Sequence, residues 1–569
     1  RRHRPVRTVV LLVCAAVVLL AVGAGIEAWR AQRALTAAQT AARQVLDSGR
    51  AGDLQAAVGH VDDLADAAAQ AHAATSGPLW WLTAHLPWVG DDAAAVSVVS
   101  RALDATAAPA RQLVHDAATA TGRRSGRVGI DLAAVARMAE PARQLAAASE
   151  SGAQALTRLP TAGLLPPVAE GVRAGAANLR QVADVAAPLA PLVSIAPGML
   201  GGDGPRHYLL AVQNPAEPRP TGGIVGAVAA LTVDRGTVRL VRRDINDRLV
   251  DPDRPLVDFG PDYRRLYGED VALVANVNLS PHFPYAAQQL AAIAGANRLG
   301  RFDGVVAVDP AVLSSLLSVV GPVTVSDGTV VSASNAQDLL LRQVYDRFAG
   351  ADRAREQFIL SVFDAAFTRL NTTDAGPAAL LGALAGEASR GHLLVWSATP
   401  REQATLARTP LAGTVPDARE DALGVYVTDA AGSKLGYYLH VTADLQLRCD
   451  GTREGRLRVQ LRNAAPDQVP PYVGNQLREP GARATAVDIV TVVLPAGAGA
   501  RDLVVDGHPQ GFAVGRELGH PVLRTTVRIP PGGAATIELT VAFGSAGTPT
   551  LYAQPFVQPS SLSVRGCAS

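Results

Sequence analysis

Residues 208–243 read YLLAVQNPAEPRPTGGIVGAVAALTVDRGTVRLVRR. The run 208–213 is a short apolar strand, 222–233 is a second with a glycine-rich start, and 237–242 is a third. Asp234-Arg235-Gly236 is the hairpin turn between the last two. Downstream the periodicity predicts a helix over 285–294, a buried strand over 304–308, and helices over 310–319, 335–348 and 352–370. Strands and helices alternating at this spacing make a layered α/β domain that ends near Ser397. From about Gly424 strand signals dominate, over 437–447, 455–461, 486–494, 522–529 and 535–543, between Gly/Pro turns. They predict an antiparallel β-sandwich.

Upstream the texture is different. Residues 30–200 are alanine-rich, with apolar positions three and four apart (Leu35, Val45, Leu54, Val58, Val61, Leu64). Breaks at Ser48-Gly49, Ser76-Gly77-Pro78, 122–126 and Leu165-Pro166-Pro167 divide them into four or so helices of an extended bundle, read as a spacer. Arg1, Arg2, Arg4 and Arg7 form a basic flank, and 8–26 carries no charge. At about 1.5 Å per residue that stretch spans roughly 28 Å, the thickness of a bilayer's hydrocarbon. It is expected to be an uncleaved anchor that crosses once, basic flank in the cytoplasm and the bulk of the chain outside; a cleaved signal peptide is the rival reading. Cys14 lies mid-span as an apolar thiol. The expected organisation is α+β and multidomain: 1–29 flank and transmembrane helix, 30–200 helical bundle, 201–423 α/β domain, 424–569 β-sandwich.

Composition excludes several classes. The 569 residues carry 52 basic and 51 acidic side chains, a formal net charge of +1, so bulk attraction to nucleic acid is not available. A charged fraction of 18% with mean hydropathy +0.15 is too apolar for a disordered chain. Lys434 is the only lysine and has no phosphate-loop context, which excludes a P-loop nucleotide enzyme. No Gly-x-Ser-x-Gly or His-Glu-x-x-His occurs. His207 and His282 are lone histidines, suited to loop or core roles. Cys449 and Cys567 are the only thiols beyond the anchor, and in an oxidising compartment they are expected to form a disulfide.

The segment 208–226 resembles the signature of a bacterial envelope family known as domain of unknown function 4012. Asn278-Leu-Ser-Pro-His-Phe-Pro284, Asp303-Gly-Val-Val-Ala-Val-Asp-Pro310 with Gly321-Pro322, and Gly432-Ser-Lys434 support the likeness, which covers roughly 200–440. The order of elements is also similar to the LytR-CpsA-Psr phosphotransferases, which move glycopolymers from a polyprenyl-pyrophosphate lipid onto peptidoglycan. Arg219 before Thr221-Gly222-Gly223, Arg242-Arg243-Asp244 after a strand, Asn276-Val-Asn278, Gly321-Pro-Val323, and Asp352-Arg353-Ala-Arg355-Glu-Gln357 stand in that family's order.

That second resemblance implies a site. Arginine's planar fork binds phosphate oxygens in pairs, so Arg219, Arg243, Arg353 and Arg355, with Asn278, are the implied phosphate-binding set. Asp244 is the implied catalytic residue and metal ligand, and Mg²⁺ the implied cofactor. The sequence departs from the pattern where the family has its first acidic residue: Thr221 or Gly222 stands there, so that Glu217 or Asp247 would have to substitute. The expected function is therefore binding of a lipid-linked glycan phosphate in cell-wall assembly, with phosphotransfer as its enzymatic extension. The alternative is a non-catalytic envelope scaffold or adaptor. The expected partners are the bilayer, a polyprenyl-linked glycan or cell-wall polymer, and other envelope proteins, with no nucleic acid. Arg353 and Arg355 also suit surface ion pairs with Asp352 and Glu356, and Gly222-Gly223 also suits a bulge. If the first helix runs to about Arg50 and a second returns from Asp53 to about Thr75, then Trp80, Trp81 and Trp88 come back to the headgroup level; plugging the bundle is their other reading.

Overall fold

The computed structural model describes residues 4–51, 53–124, 127–245, 248–373, 375, 377–416, 421–474, 483–544 and 549–566; side chains of 4–19, 21, 50, 51, 121–124, 127, 128, 244, 245, 377 and 378 lie outside the description. The chain divides into two compact units. One comprises 1–204 with 235–237 and 376–382, and the other comprises 205–234, 238–375 and 383–569.

The first unit is helical. Arg4–Ala51 is a single helix that contains the apolar stretch 8–26. Leu54–Ser76 returns along it, started by Asp53, whose carboxylate accepts from the Ala56 amide at 3.0 Å. The expected hairpin of the first two helices is therefore present. Gly90–Thr119, Ala139–Thr157 and Pro166–Met199 follow, with short helices at Pro78–Thr83 and Leu132–Arg137. A two-stranded ribbon, Thr121–Arg124 with Arg127–Ile130, occupies the break expected at 122–126. The seams are alanine: Ala31, Ala34, Ala38 and Ala41 are buried on the first helix and Ala57, Ala68 and Ala71 on the second. Each methyl contributes about 0.8 kcal/mol, so long helices are needed to accumulate stability.

Among the described residues one helix, Pro166–Met199, is long and apolar enough to cross a membrane. It was not expected to, and within this unit it buries Ala169, Val172, Ala183, Ala186 and Val193. A helix that packs one face against its neighbours passes a length-and-hydropathy criterion without spanning.

The second unit contains a five-stranded mixed sheet in the order 237–245, 222–234, 206–219, 304–308, 393–397. The 206–219 and 304–308 strands are parallel, and the other pairings are antiparallel. Arg235 (φ 47°) and Gly236 (φ 78°) both take left-handed backbone, which is the turn expected of Asp-Arg-Gly. Helix Phe283–Ala296 lays Ala287, Leu290 and Ile293 on Leu209, Val225 and Val305 to make the core. The helix expected over 335–348 is interrupted: Ala336–Asp338 and Val344–Arg347 flank a wider π turn, Leu339–Gln343. Such turns re-aim the side chains that follow them, here Tyr345.

Beyond 421 are two further sheets. One has the order 513–517, 520–529, 486–493, 422–429, 550–553, and the other 508–509, 499–505, 534–542, 454–463, 439–447, 561–565. They are not wholly antiparallel, since 422–429 pairs parallel with 550–553 and 439–447 with 561–565. Strand Ala422–Asp429 is buried along its whole length, on both faces.

Candidate functional site

The signature segment forms a bulge that carries charge into the interior. Opposite strand Gly222–Asp234, Asn214 pairs with Ile224 and Pro218 with Gly223, so 215–217 have no cross-strand partner and fold out of the ladder. Pro215 and Pro218 lack the amides a regular strand would need there, which suits them to a bulge. The bulge lies so close to Gly223 that a Cβ there would be 2.1 Å from the Asn214 carbonyl oxygen. Gly222 takes φ +130°. The glycine pair thus serves the bulge to which the sequence suits it.

Glu217, at the tip, forms an ion pair with Lys434, both buried. Burial alone would lower the lysine's pKa, but the Glu217 carboxylate together with the Tyr345 and Tyr472 phenols outweighs it and the net shift is upward. The ammonium also faces two phenol rings, Tyr472 at 4.5 Å and Tyr345 at 5.1 Å. Arg355 stands over the same rings, 4.1 Å from Tyr472, and donates to Asp352 at 2.6 Å. Tyr345, placed by the turn of helix after the π segment, accepts from the Asn214 side chain at 2.8 Å.

Arg219 continues the cluster on its other side. It donates to the carbonyls of Asp429 and Pro218 at 3.0 Å and of Ala275 at 3.3 Å, and to the Asn276 side chain at 3.4 Å. Asn278 donates to Thr221 (3.0 Å) and to the Gly223 carbonyl (2.8 Å), and Gln213 donates to Thr221 (3.0 Å). Asp429 accepts from the amide (2.9 Å) and hydroxyl (2.6 Å) of Ser433 and lies directly across the ladder from Asp488. Burial pushes both carboxyls up, Asp488 strongly, and each raises itself further on a like-charged neighbour: Glu217 for Asp429 and Asp429 for Asp488. Arg219 opposes both shifts. The cations Arg219, Lys434 and Arg355 thus lie among the carboxyls of Glu217, Asp429, Asp488 and Asp352, and one oxygen of Asp488 is buried with no hydrogen-bond partner among the described residues.

The other implied residues are elsewhere. Arg243 pairs with Asp364 at 2.6 Å, the side chains 39% and 42% exposed. Asp364 is on helix Asp352–Thr372, about 13 Å further along than Arg355 and on the opposite side, at about 1.5 Å and 100° per residue. Arg353 is exposed on the same helix. Arg219 and Arg355 thus flank the Glu217–Lys434 pair, while Arg243 does not join them; the four guanidinium groups do not meet in one cleft. Asp244 is the last residue but one of strand Thr237–Ile245 and its side chain, like Asp247, lies outside the described residues. No group of three or more His, Cys, Asp or Glu arranged to hold a metal occurs among the described residues. His282 is half-buried, its Nδ1 accepting from the Val415 amide at 3.4 Å, and desolvation lowers its pKa to about 4. The pairing of Cys449 with Cys567 falls on a residue outside the described ones.

An open groove of about 410 Å³ runs beside Asp364, lined also by Pro322, Val323, Thr324, Thr368 and Arg369. Arg369 Nε donates to the Val320 carbonyl at 2.7 Å.

Residues 203–345 match the model of a family described as a protein of unknown function, DUF4012. The match holds Glu217, Arg219, Thr221, Asn278 and Tyr345, and is shorter than the 200–440 expected. Lys434, Asp429 and Asp488 come from beyond it. No curated protein and no solved structure matches the chain. Sequence reasoning missed Asp429, Asp488, Tyr345 and Tyr472. One signal pointed the right way: a single lysine kept in a chain that otherwise uses arginine.

Proposed function

We propose that this chain is a membrane-anchored envelope protein that acts outside the membrane as a non-catalytic scaffold. The observation that carries this reading is the burial of the signature cluster: Glu217 pairs with Lys434, Arg219 donates to backbone carbonyls and Asp429 accepts from Ser433, all four charged side chains being buried. Such a cluster joins the bulge to the strands and turn of 422–434 and specifies how they fit, a role attested for buried ionic groups. The basic flank before residue 8 and the uncharged 8–26 support an anchor with its N-terminus in the cytoplasm. The two C-terminal sheets, with inner-facing alternation such as Leu457, Val459 and Leu461, support a sandwich. The parallel pairing of 561–565 with 439–447, Arg565 opposite Gln446, leads both chain segments toward the cysteines and supports the Cys449–Cys567 disulfide.

One observation favours a second reading, binding of a lipid-linked glycan phosphate. The Asp364 partner of Arg243, the 321–323 turn and helix Asp352–Thr372 meet at the open groove, with Arg369 on its wall. A pyrophosphate would exchange the exposed Asp364 for its own oxygens on Arg243.

The test is a titration of the full chain in detergent with a polyprenyl-pyrophosphate analogue, with and without Mg²⁺ and a glycan acceptor. The scaffold reading expects neither saturable binding nor transfer. Saturable binding that is lost in Arg243→Ala and kept in Arg219→Gln would select the second reading, and transfer would overturn the scaffold.

A further inference from the structure

We infer that the turn between the second and fourth helices, residues 77–89, is a second membrane contact: a wedge of indole and leucine side chains seated at the headgroup–acyl boundary beside the anchor. This deepens the proposed anchoring by 8–26 and rests on it.

The three tryptophans of this turn have parted company. Trp80 is 6% exposed, donating from Nε1 to the Ala93 carbonyl at 3.0 Å and to Ser97 Oγ at 2.7 Å, and it packs on Ala31 and Ala74. It plugs the bundle. Trp81 and Trp88 are 63% and 95% exposed, and Leu82, Leu86 and Val89 beside them are exposed as well. A contiguous apolar patch of this kind marks a surface that something covers. Trp88 also holds a left-handed backbone, φ +72°, which is costly for a bulky side chain and turns the ring outward from the bundle.

The position along the first helix names the occupant. A Cβ added at Gly23 would be 2.6 Å from Leu79 Cδ2, so the glycine lets the turn lie directly on that level of the helix. The apolar stretch runs to Ile26, which places Leu79 about 5 Å inside its end at 1.5 Å per residue. That is the depth at which interfacial segments bury their apolar side, and tryptophan is enriched there. Leu20, Val22, Ile26 and Trp29 of the first helix, all within about 9 Å of Gly23 along its axis, are exposed as well. The turn at 158–165 is tied to this end, since the Leu165 amide donates to Asp92 at 2.8 Å, and Leu165 too is exposed. A bilayer covers all of these at once.

The experiment reconstitutes the full chain into vesicles of phosphatidylcholine with a quarter phosphatidylglycerol, with and without lipid brominated near the headgroup end of its acyl chain. Flotation of the vesicles reads the anchor; tryptophan emission reads the turn. Trp81→Ala/Trp88→Ala alters only exposed side chains and leaves Trp80 in place. The inference expects parent and variant to float equally. It also expects the emission difference between them to be blue-shifted and quenched by the brominated lipid. Equal flotation with a difference spectrum that is red-shifted and unquenched would overturn the wedge and leave the anchor standing. A parent chain that fails to float would overturn both.

Discussion

The helical unit buries alanine against alanine, whereas the sheet unit buries lysine against glutamate. The first device is cheap and repeated: each seam methyl stabilises a little, none is decisive, and the result is a spacer whose surface can be spent on other tasks, such as the exposed Trp81 and Trp88. The second is concentrated. Removing two charges from water costs several kcal/mol each, and only their mutual attraction and hydrogen bonds offset it. A region built the first way should degrade gradually on mutation; one built the second way should fail at single positions.

The largest expected effect is at the Glu217–Lys434 pair. Lys434→Met strands a buried carboxylate and should destabilise the sheet unit by about 3–5 kcal/mol, whereas Glu217→Gln/Lys434→Met together should recover much of that. Chemical denaturation followed through Trp396, which lies in the sheet unit, measures both. Additive losses in the double variant would show that the pair is not coupled. Next is Gly223→Ala, where the new methyl meets the Asn214 carbonyl; a loss on the order of 3 kcal/mol is expected by the same assay.

Asp488→Asn should go the other way. The folded state holds its proton more tightly than the unfolded chain does, so the stability tied to that proton is complete below the ordinary aspartate range, about pH 4, and is lost as pH rises through the folded pKa. The amide should therefore stabilise at pH 8 by about 1–3 kcal/mol and be near neutral at pH 4. A variant equally stabilised at both pH values would refute the raised pKa. His392 provides a smaller effect. Burial lowers its pKa, but the Asp309 carboxylate at 2.5 Å and the Glu387 carboxylate together outweigh that and the net shift is upward. Stability from this pair is present below about pH 6.5 and lost as pH climbs through the raised value. His392→Asn should flatten that part of the curve, by about 1 kcal/mol. Smallest is Arg243→Ala, an exposed pair, with a change of at most about 1 kcal/mol that salt diminishes.

Much of the fold was legible because it depends on local pattern. The strand at 304–308, the Asp234–Gly236 turn and the antiparallel hairpin of the first two helices follow from periodicity and turn chemistry. Strand 206–219 extends past its expected end at 213 because the bulge resumes the ladder at Pro218, and proline signals a break whichever way the chain continues. The short strands 508–509, 513–517, 550–553 and 561–565 were not legible, since edge strands carry half-exposed, weakly alternating residues whose pairing is decided by distant partners. The candidate site shows the same limit more sharply. Arg219 and Asn278 were visible as residues that matter, but whether a guanidinium faces a cleft or a backbone carbonyl depends on Asp429, more than two hundred positions away. The exposure of Trp81 and the burial of its neighbour Trp80 likewise depend on Ala93 and Ser97 of another helix.

The chain's single lysine gives the most direct measurement of the central claim. The intact protein is treated with an amine-acylating reagent alongside a lysine-containing reference peptide, and Lys434 is followed by peptide mass spectrometry, native and after denaturation. A buried ammonium paired with Glu217 predicts that Lys434 stays unmodified in the native chain while the reference peptide reacts, and becomes reactive on unfolding. Modification of native Lys434 at the rate of the reference peptide would mean an open cluster with a free cation, and would contradict the buried Glu217–Lys434 pair described above.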